Sequence, residues 1–383
     1  MANQQIFNRI ITQFKDINRA EIKKWRQALQ LATNNDNPRV HALQDLYDNL
    51  EADGHFAAQK TIRKGATMSY GFSVVDRKTG DINPEKTELF NTEWFYDFMD
   101  SALDSIFKGH TILELVDPAS MKFELIPRRN IVGSQNLILF EATGDKGIDI
   151  SKGFEKTLVK VGKPTGVGLM GNLCGQLIWK RNAQQSWAEF TEKFGMPLLK
   201  ATTNKTKPSD IEYIMRMLRT LGESALAVLS EGTTVEVVPF TVGDSYRVYD
   251  AQIHRINTEI SKPITGGTMI TDEGSSRAQS EVHERNLDDK IAEADRRMIQ
   301  FTVNNQIIPI MNYWGHNINT QTDKFLFDSS FELTLKEHWE IVNQVWNRAE
   351  IQPEWISKTF NVPITKVRET PYFDTDNTSQ SFQ

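Results

Sequence analysis

Between Gly243 and Lys262 the apolar residues fall at Tyr246, Tyr249, Ile253, Ile256 and Ile260, spacings of three and four that draw one narrow stripe along a helix. The other faces of that helix are polar. A second helical stretch over 169–194 carries Leu177, Trp187, Phe190 and Phe194 and stops at Gly195-Met196-Pro197. Stripes this narrow do not suit a globular core helix, so most of each helix is expected to face water or another subunit. The two flank a small α/β insert: a helix over 209–221, then ALAVLS and TTVEVVPF read as a hairpin around Glu231-Gly232. Helix, insert, helix is the order of an antiparallel stalk.

The part before the stalk reads as α+β. Helical periodicity covers 21–33 (Ile22, Trp25, Leu29, Leu31) and 40–50 (Val40, Leu43, Leu46, Leu50). A strand is predicted near 70–76, closed by the turn residues RKTGD. Thr92 is a helix N-cap with Glu93 in the first turn, and Phe95, Met99, Leu103 and Ile106 share a face that ends at Gly109. HTILELV and MKFELIP alternate by two around DPAS and read as a hairpin, and short β runs follow in LILFEA and TLVKVG. In GKPTGVGLMGNLCG, residues 162–175, five glycines are expected to loosen the backbone before the first stalk helix.

After the stalk comes GGTMITDEGSSR, then a periodic segment with Val282, Leu287, Ile291, Ala294, Met298 and Phe301. An unbroken helix from Ser276 to Trp314 would be roughly 55–60 Å long, with a kink at Pro309. Only the tail DTDNTSQSFQ has a disordered composition.

The 383 residues suffice for roughly two or three domains. One cysteine, Cys174, excludes an intramolecular disulfide framework and fits assembly in a reducing cytosol. MANQQIFNRIITQF has no signal-peptide pattern, and no stretch reaches the roughly 18 apolar residues of a membrane helix, so export by that route and a membrane location are not expected. A net charge of -6 argues against a chain built to grip nucleic acid, though not against one that lets it pass.

No catalytic constellation emerges. Lys163 is followed by Pro164 and GGTMITDEGSSR has no lysine, so neither glycine-rich stretch is a phosphate loop. His283-Glu284 lacks the second histidine of a zinc helix, and no metal or cofactor site is expected. Ser275 or Ser276 reads as a helix cap, with Gln279 placed for a capping box. Glu284, Asp288, Asp289, Glu293 and Asp295 alternate with Arg285, Lys290, Arg296 and Arg297, the pattern of a salt-bridged helix face. The competing reading makes the chain a nucleic-acid-processing enzyme with a metal site around Asp288 and Asp289. Tryptophans 179, 187, 314, 339, 346 and 355 sit at helical spacings and read as core or interface anchors.

Three blocks, WAEFTEKFGMPLLKA (187–201), GGTMITDEGSSRAQSEVHER (266–285) and the helix ending in NNQIIPIMNYWG, resemble in order and spacing the portal proteins of Mu-like tailed phages and prophages over about residues 21–365. EIQPEWISKTFNVPI is similar to the family's closing segment. The resemblance implies an α+β portal fold without enzymatic activity: an N-terminal wing over 1–165, a first stem helix over 166–195, a clip over 196–242, a second stem helix over 243–262, a tunnel loop over 263–275, a long kinked wing helix over 276–320, and a C-terminal wing or crown segment with a flexible tail over 321–383. It further implies a ring of usually twelve subunits at one vertex of the virion capsid, assembled in the host cytoplasm. Double-stranded DNA would pass through the ring during packaging and ejection. Its partners would be the terminase large subunit, a head–tail adaptor or connector protein, the major capsid protein and scaffold. Gly266, Gly267, Thr268, Met269 and Ile270 become candidates for facing DNA, Arg247, Arg255 and Lys262 for lining the channel, and Lys200, Lys205 and Lys207 for binding partners at the clip.

Overall fold

A computed structural model describes residues 22–194, 198–204, 207–223, 233–238, 245–267 and 287–328, with short helical stretches at 339–340, 342–344 and 355–357. The chain divides into Met1–Asp328 and Ser329–Gln383, and the elements below belong to the first unit.

The first described elements are three helices, α1 (Ile22–Ala32), α2 (His41–Leu50) and α3 (Gly54–Met68). Asp53 caps α3, accepting the Phe56 N–H at 2.9 Å. Strand β1 (Phe72–Asp76) precedes the short α4 (Pro84–Glu88) and then α5 (Glu93–Lys108). The expected hairpin is β2 (His110–Asp117) with β3 (Lys122–Leu125). Strands β4 (Ile131–Val132), β5 (Leu137–Leu139) and β6 (Gly147–Asp149) form a second small sheet, while β7 (Leu158–Gly162) returns to pair with β2, giving the order β3-β2-β7.

Helix α6 (Gly168–Phe194) leads to β8 (Leu198–Thr203), α7 (Pro208–Glu223), β9 (Thr233–Val238) and α8 (Ser245–Thr265). TTVEVVPF takes β8 as its antiparallel partner, from Leu198↔Val238 to Thr203↔Thr233, whereas ALAVLS lies outside the described residues. The alternation of TTVEVVPF thus marks a strand, and the other half of the expected hairpin is not among the described residues.

From Leu287 the chain is helical to Tyr313, as a π-helical turn (Leu287–Ala292), α9 (Glu293–Thr302), a second π-helical stretch (Val303–Ile307) and α10 (Ile308–Tyr313). The Ser276 end of the expected long helix lies outside the described residues. Pro309 sits in the first turn of α10, directly after the π-helical stretch. A wide turn there relieves the clash between the proline ring and the carbonyl four residues back. Strand β10 (Asp323–Phe327) closes the unit against β1.

The core has two main parts. In one, Phe90, Phe95, Phe98 and Leu103 pack against Phe325 and the apolar face of the final helices, Ile299, Val303 and Ile307. In the other, Leu43, Tyr47, Phe56 and Phe107 meet Met170, Leu173, Cys174, Leu177 and Ile178 of α6 and Ile256, Ile260 and Ile264 of α8. Each such side chain contributes about 1.5–3 kcal/mol on burial. A charged cluster joins α2, α3 and α5: Lys60 reaches Asp104 at 2.8 Å and pairs with Glu51, and Lys108 reaches Asp48 and Glu51, each at 2.8 Å. Burial pushes the Asp104 carboxyl up, but Lys60 and Lys64 outweigh it and hold the pKa below the usual range.

The glycines before α6 do the opposite of loosening the chain. Gly168 has φ +65° and Gly109 φ +96°, and a Cβ built on them would stand 2.2 Å from the Phe107 carbonyl oxygen and 1.9 Å from the Gly166 carbonyl oxygen. Backbone thus lies on backbone where α5 ends and α6 begins, a fit that only glycine permits.

Candidate functional site

Helices α6 and α8 run side by side. Their rings meet far from the core, Phe190 to Tyr249 at 6.1 Å, while Met170 and Ile264 share the core cluster at the other end. The narrow stripe of α8 faces α6, as its spacing requires. The expectation that both helices chiefly face water needs division. In the root half, Met170, Leu173, Cys174, Leu177, Ile178 and Ala183 of α6 and Ile256, Ile260 and Ile264 of α8 are buried within the same chain. In the tip half, Gln184, Gln185, Ser186, Ala188 and Glu189 are exposed, as are Arg247, Val248 and Asp250. The rods are anchored at one end and bare at the other. Apolar residues at 170, 173, 174, 177 and 178 widen the α6 stripe at the root and only there.

Polar groups reinforce the roots. Lys180, only 4% exposed, reaches the Asp53 carboxylate at 2.8 Å, and Arg181 donates to the Asn49 side-chain oxygen at 2.8 Å. Along α3, His55, Gln59 and Arg63 recur every four residues and face residues of α8 that recur at the same interval, Asn257, Ser261 and Thr265. His55 Nε2 lies 2.8 Å from Ser261 Oγ and 3.1 Å from the Asn257 carbonyl oxygen. The Thr265 hydroxyl donates to Gln59 Oε1 at 2.9 Å. The Arg63 guanidinium donates to the Ile264 carbonyl at 3.1 Å and forks onto Asp295 of α9 at 2.7 and 2.9 Å. Helix α3 escaped the sequence reading because its inward face is polar. The matching four-residue period on both partners was the available signal.

Helix α8 runs to Thr265, through Pro263, and turns at Gly266, whose φ is +75° and whose N–H donates to the Lys262 carbonyl at 3.0 Å. A Cβ on Gly266 would approach Ile291 Cδ1 to 3.0 Å. Gly267 is buried, and its carbonyl accepts the Thr265 hydroxyl at 3.2 Å. Thr268, Met269 and Ile270 lie outside the described residues, as does Lys205.

The remaining candidates are spread over separate elements. Arg247, Arg255 and Lys262 are exposed on α8. Lys262 is paired with Glu259 at 2.7 Å, and this hydrogen bond, with its charge, lowers the Glu259 pKa. Lys200 stands opposite Glu236 in the β8–β9 register. Lys207 is exposed just before α7, its carbonyl accepting the N–H groups of Asp210 and Ile211 at 3.0 and 3.2 Å. Of the acidic run, Asp295 is taken by Arg63 and Glu293 pairs with Arg297 on the exposed face. Asp288 and Asp289 fall in the first π-helical turn. Among the described residues no group of three or more His, Cys, Asp or Glu is placed to hold a metal ion. Trp179 is half exposed on α6, and Trp314 donates its indole N–H to the Lys156 carbonyl at 2.9 Å. No described helix is long and apolar enough to cross a membrane.

The family model described as the portal protein of Mu bacteriophage matches residues 44–362. The portal protein of Escherichia phage Mu is 23% identical over 367 residues, 88% of this chain and 70% of that protein. Mu-like prophage FluMu protein gp29 of Haemophilus influenzae is 22% identical over 356 residues, 84% of this chain and 67% of that protein. Among solved structures, an HK97 family phage portal protein from Corynebacterium diphtheriae superposes with a TM-score of 0.44 at 13% identity, covering 73% of this chain and 94% of that one. A chain in the neck of an empty GTA particle gives a TM-score of 0.49 at 12% identity, covering 82% of this chain and 92% of that one.

Proposed function

Because the chain belongs to the family of Mu portal proteins, we propose that it assembles as a ring, of twelve copies on the family pattern, at one vertex of a tailed-phage head, and that double-stranded DNA enters and leaves the head through it. In this reading α6 and α8 are the stem, residues 196–242 the clip, 263–275 the loop that meets DNA, and the segment up to about 165 the wing. The protein acts as a conduit and docking platform, not as a catalyst. The terminase large subunit binds the clip during packaging and an adaptor replaces it, with Lys200, Lys205 and Lys207 as contact candidates. Capsid protein and scaffold surround the wing, and assembly takes place in the host cytoplasm.

The observation that carries this reading is the division of the helix pair into a buried root and a bare tip. Two helices that project from a core with exposed polar flanks gain little by standing alone, and copies of themselves supply the missing neighbours. Electrostatics favours passage over gripping. Each phosphate neutralised by an unpaired cation releases counterions, and a ring multiplies every such contact, so a strongly basic lining would hold the duplex. Lys262 spends its charge on Glu259 instead.

Electron microscopy of the purified protein tests the proposal. An annulus with a central hole about as wide as duplex DNA is expected. A population that stays monomeric at micromolar concentration, or rings with a closed axis, would refute it.

A further inference from the structure

The 268–286 segment has two roots, the end of α8 before it and the first π-helical turn with α9 after it, and one side chain touches both. Arg63 is 9% exposed and Asp295 5%, so their ion pair stands out of water, where a charge is tolerated only if its hydrogen-bonding capacity is met. The guanidinium meets it by dividing its donors. Nε and one terminal nitrogen take the Asp295 carboxylate at 2.7 and 2.9 Å, and the other terminal nitrogen takes the carbonyls of Ile264 and Pro263 at 3.1 and 3.4 Å. These two carbonyls end α8, where the helix itself leaves them without partners. Pro263 also sits in that last turn and withholds an N–H from the Glu259 carbonyl, so the turn is held from outside. Gln59 adds its bond to Thr265 from the same face of α3, and Gly266 makes its turn against Ile291 of the second root.

We infer that Arg63 is a positioning residue: it fixes the end of α8 and the start of α9, the two described roots of the 268–286 segment, to one another and to α3. A lysine cannot replace it, because a single ammonium does not offer a planar fork to a carboxylate and further donors to carbonyls in another direction. That this segment faces DNA rests on the function proposed above, whereas the joining of its roots does not.

Hydrogen exchange followed by mass spectrometry on the full chain tests the role. The double variant Arg63→Met with Asp295→Leu removes the pair without leaving an orphaned charge, a replacement that buried ion pairs often tolerate. Exchange in peptides covering 261–267 and 287–296 is expected to quicken about tenfold, with peptides from β2 and β7 unchanged. Arg63→Lys is expected to fall between the double variant and the original chain. Unchanged exchange at both roots overturns the inference, and so does a uniform rise that includes β2 and β7, since that marks general loss of stability. Quickened roots together with normal DNA packaging by the variant would instead count against the channel-facing role of the segment and leave the positioning role intact.

Discussion

Replacing Gly168 with alanine separates two costs that a glycine can conceal. The first is conformational: at φ +65° an added Cβ crowds its own backbone, which costs about 1–2 kcal/mol. The second is contact. The new methyl would lie 2.2 Å from the Phe107 carbonyl oxygen and 2.5 Å from the Gly109 nitrogen, both main-chain atoms that cannot rotate away. Forcing them apart moves the end of α5 relative to the start of α6, and overpacking of this kind costs about 1–3 kcal/mol. Gly80→Ala is the control, because Gly80 has φ +79° with nothing within 4 Å of a built Cβ. It carries the first cost without the second, and the gain from a stiffer unfolded chain is common to both and cancels. Urea unfolding monitored by tryptophan fluorescence should therefore show Gly168→Ala losing about 1–3 kcal/mol more than Gly80→Ala. Equal losses within about 0.5 kcal/mol would mean that the α5–α6 joint gives way easily, and the reasoning from main-chain contact would fail.

Other perturbations address charge, turn geometry and acid stability. Proline at both Gly266 and Gly267 is incompatible with φ +75° and removes the Gly266 N–H bond to Lys262, so rings should form but DNA packaging should drop, and normal genome filling would remove the case for this turn. Glu259→Gln frees the Lys262 ammonium, so retention of DNA by purified rings should become stronger and more salt-dependent, while an unchanged salt slope would show that Lys262 lies away from the duplex. Burial, with Arg128 nearby, lowers the His110 pKa to about 4, against about 6.5 for the unfolded chain. The unfolded state takes up this proton first, so its contribution of about 3 kcal/mol is present above about pH 6.5 and is lost as pH falls toward 4; His110→Gln should flatten the stability profile across that window, seen in urea midpoints at stepped pH.

What could be read from the residues depended on whether apolar pattern alone decided the outcome. The α5 helix with its Thr92 start and Gly109 stop, the β2–β3 hairpin and the stripe of α8 were visible because each buries one apolar face at the period of its own element. The pairing of β9 with β8 was not, since closure across α7 is three-dimensional and a strand carries no mark of so distant a neighbour. Helix α3 was hidden for a different reason: Gln59, Arg63, Lys64 and Thr67 are buried yet polar, and a reading that searches for hydrophobic periodicity passes over them. The cluster at 162–175 was misjudged because glycine permits close approach as readily as freedom, and only the opposing backbone shows which is in use. Among the site candidates, Lys262 was read only as lining a channel, and its pairing with Glu259 one helical turn earlier appears only in the structure. The ties from α3 to both ends of the 268–286 segment join residues some two hundred positions apart and had no local signature.

Cys174 lies fully buried in the root of α6, and burial alone raises its thiol pKa well above the ordinary value. As the sole cysteine of the chain, it is a built-in reporter. A maleimide or disulfide reagent can reach it only when α6 lifts from its bed, so labelling kinetics read the frequency of that excursion directly, without any engineered probe. If the chain assembles as proposed, comparing the rate before and after assembly would show how far neighbouring copies quiet the base of the rod.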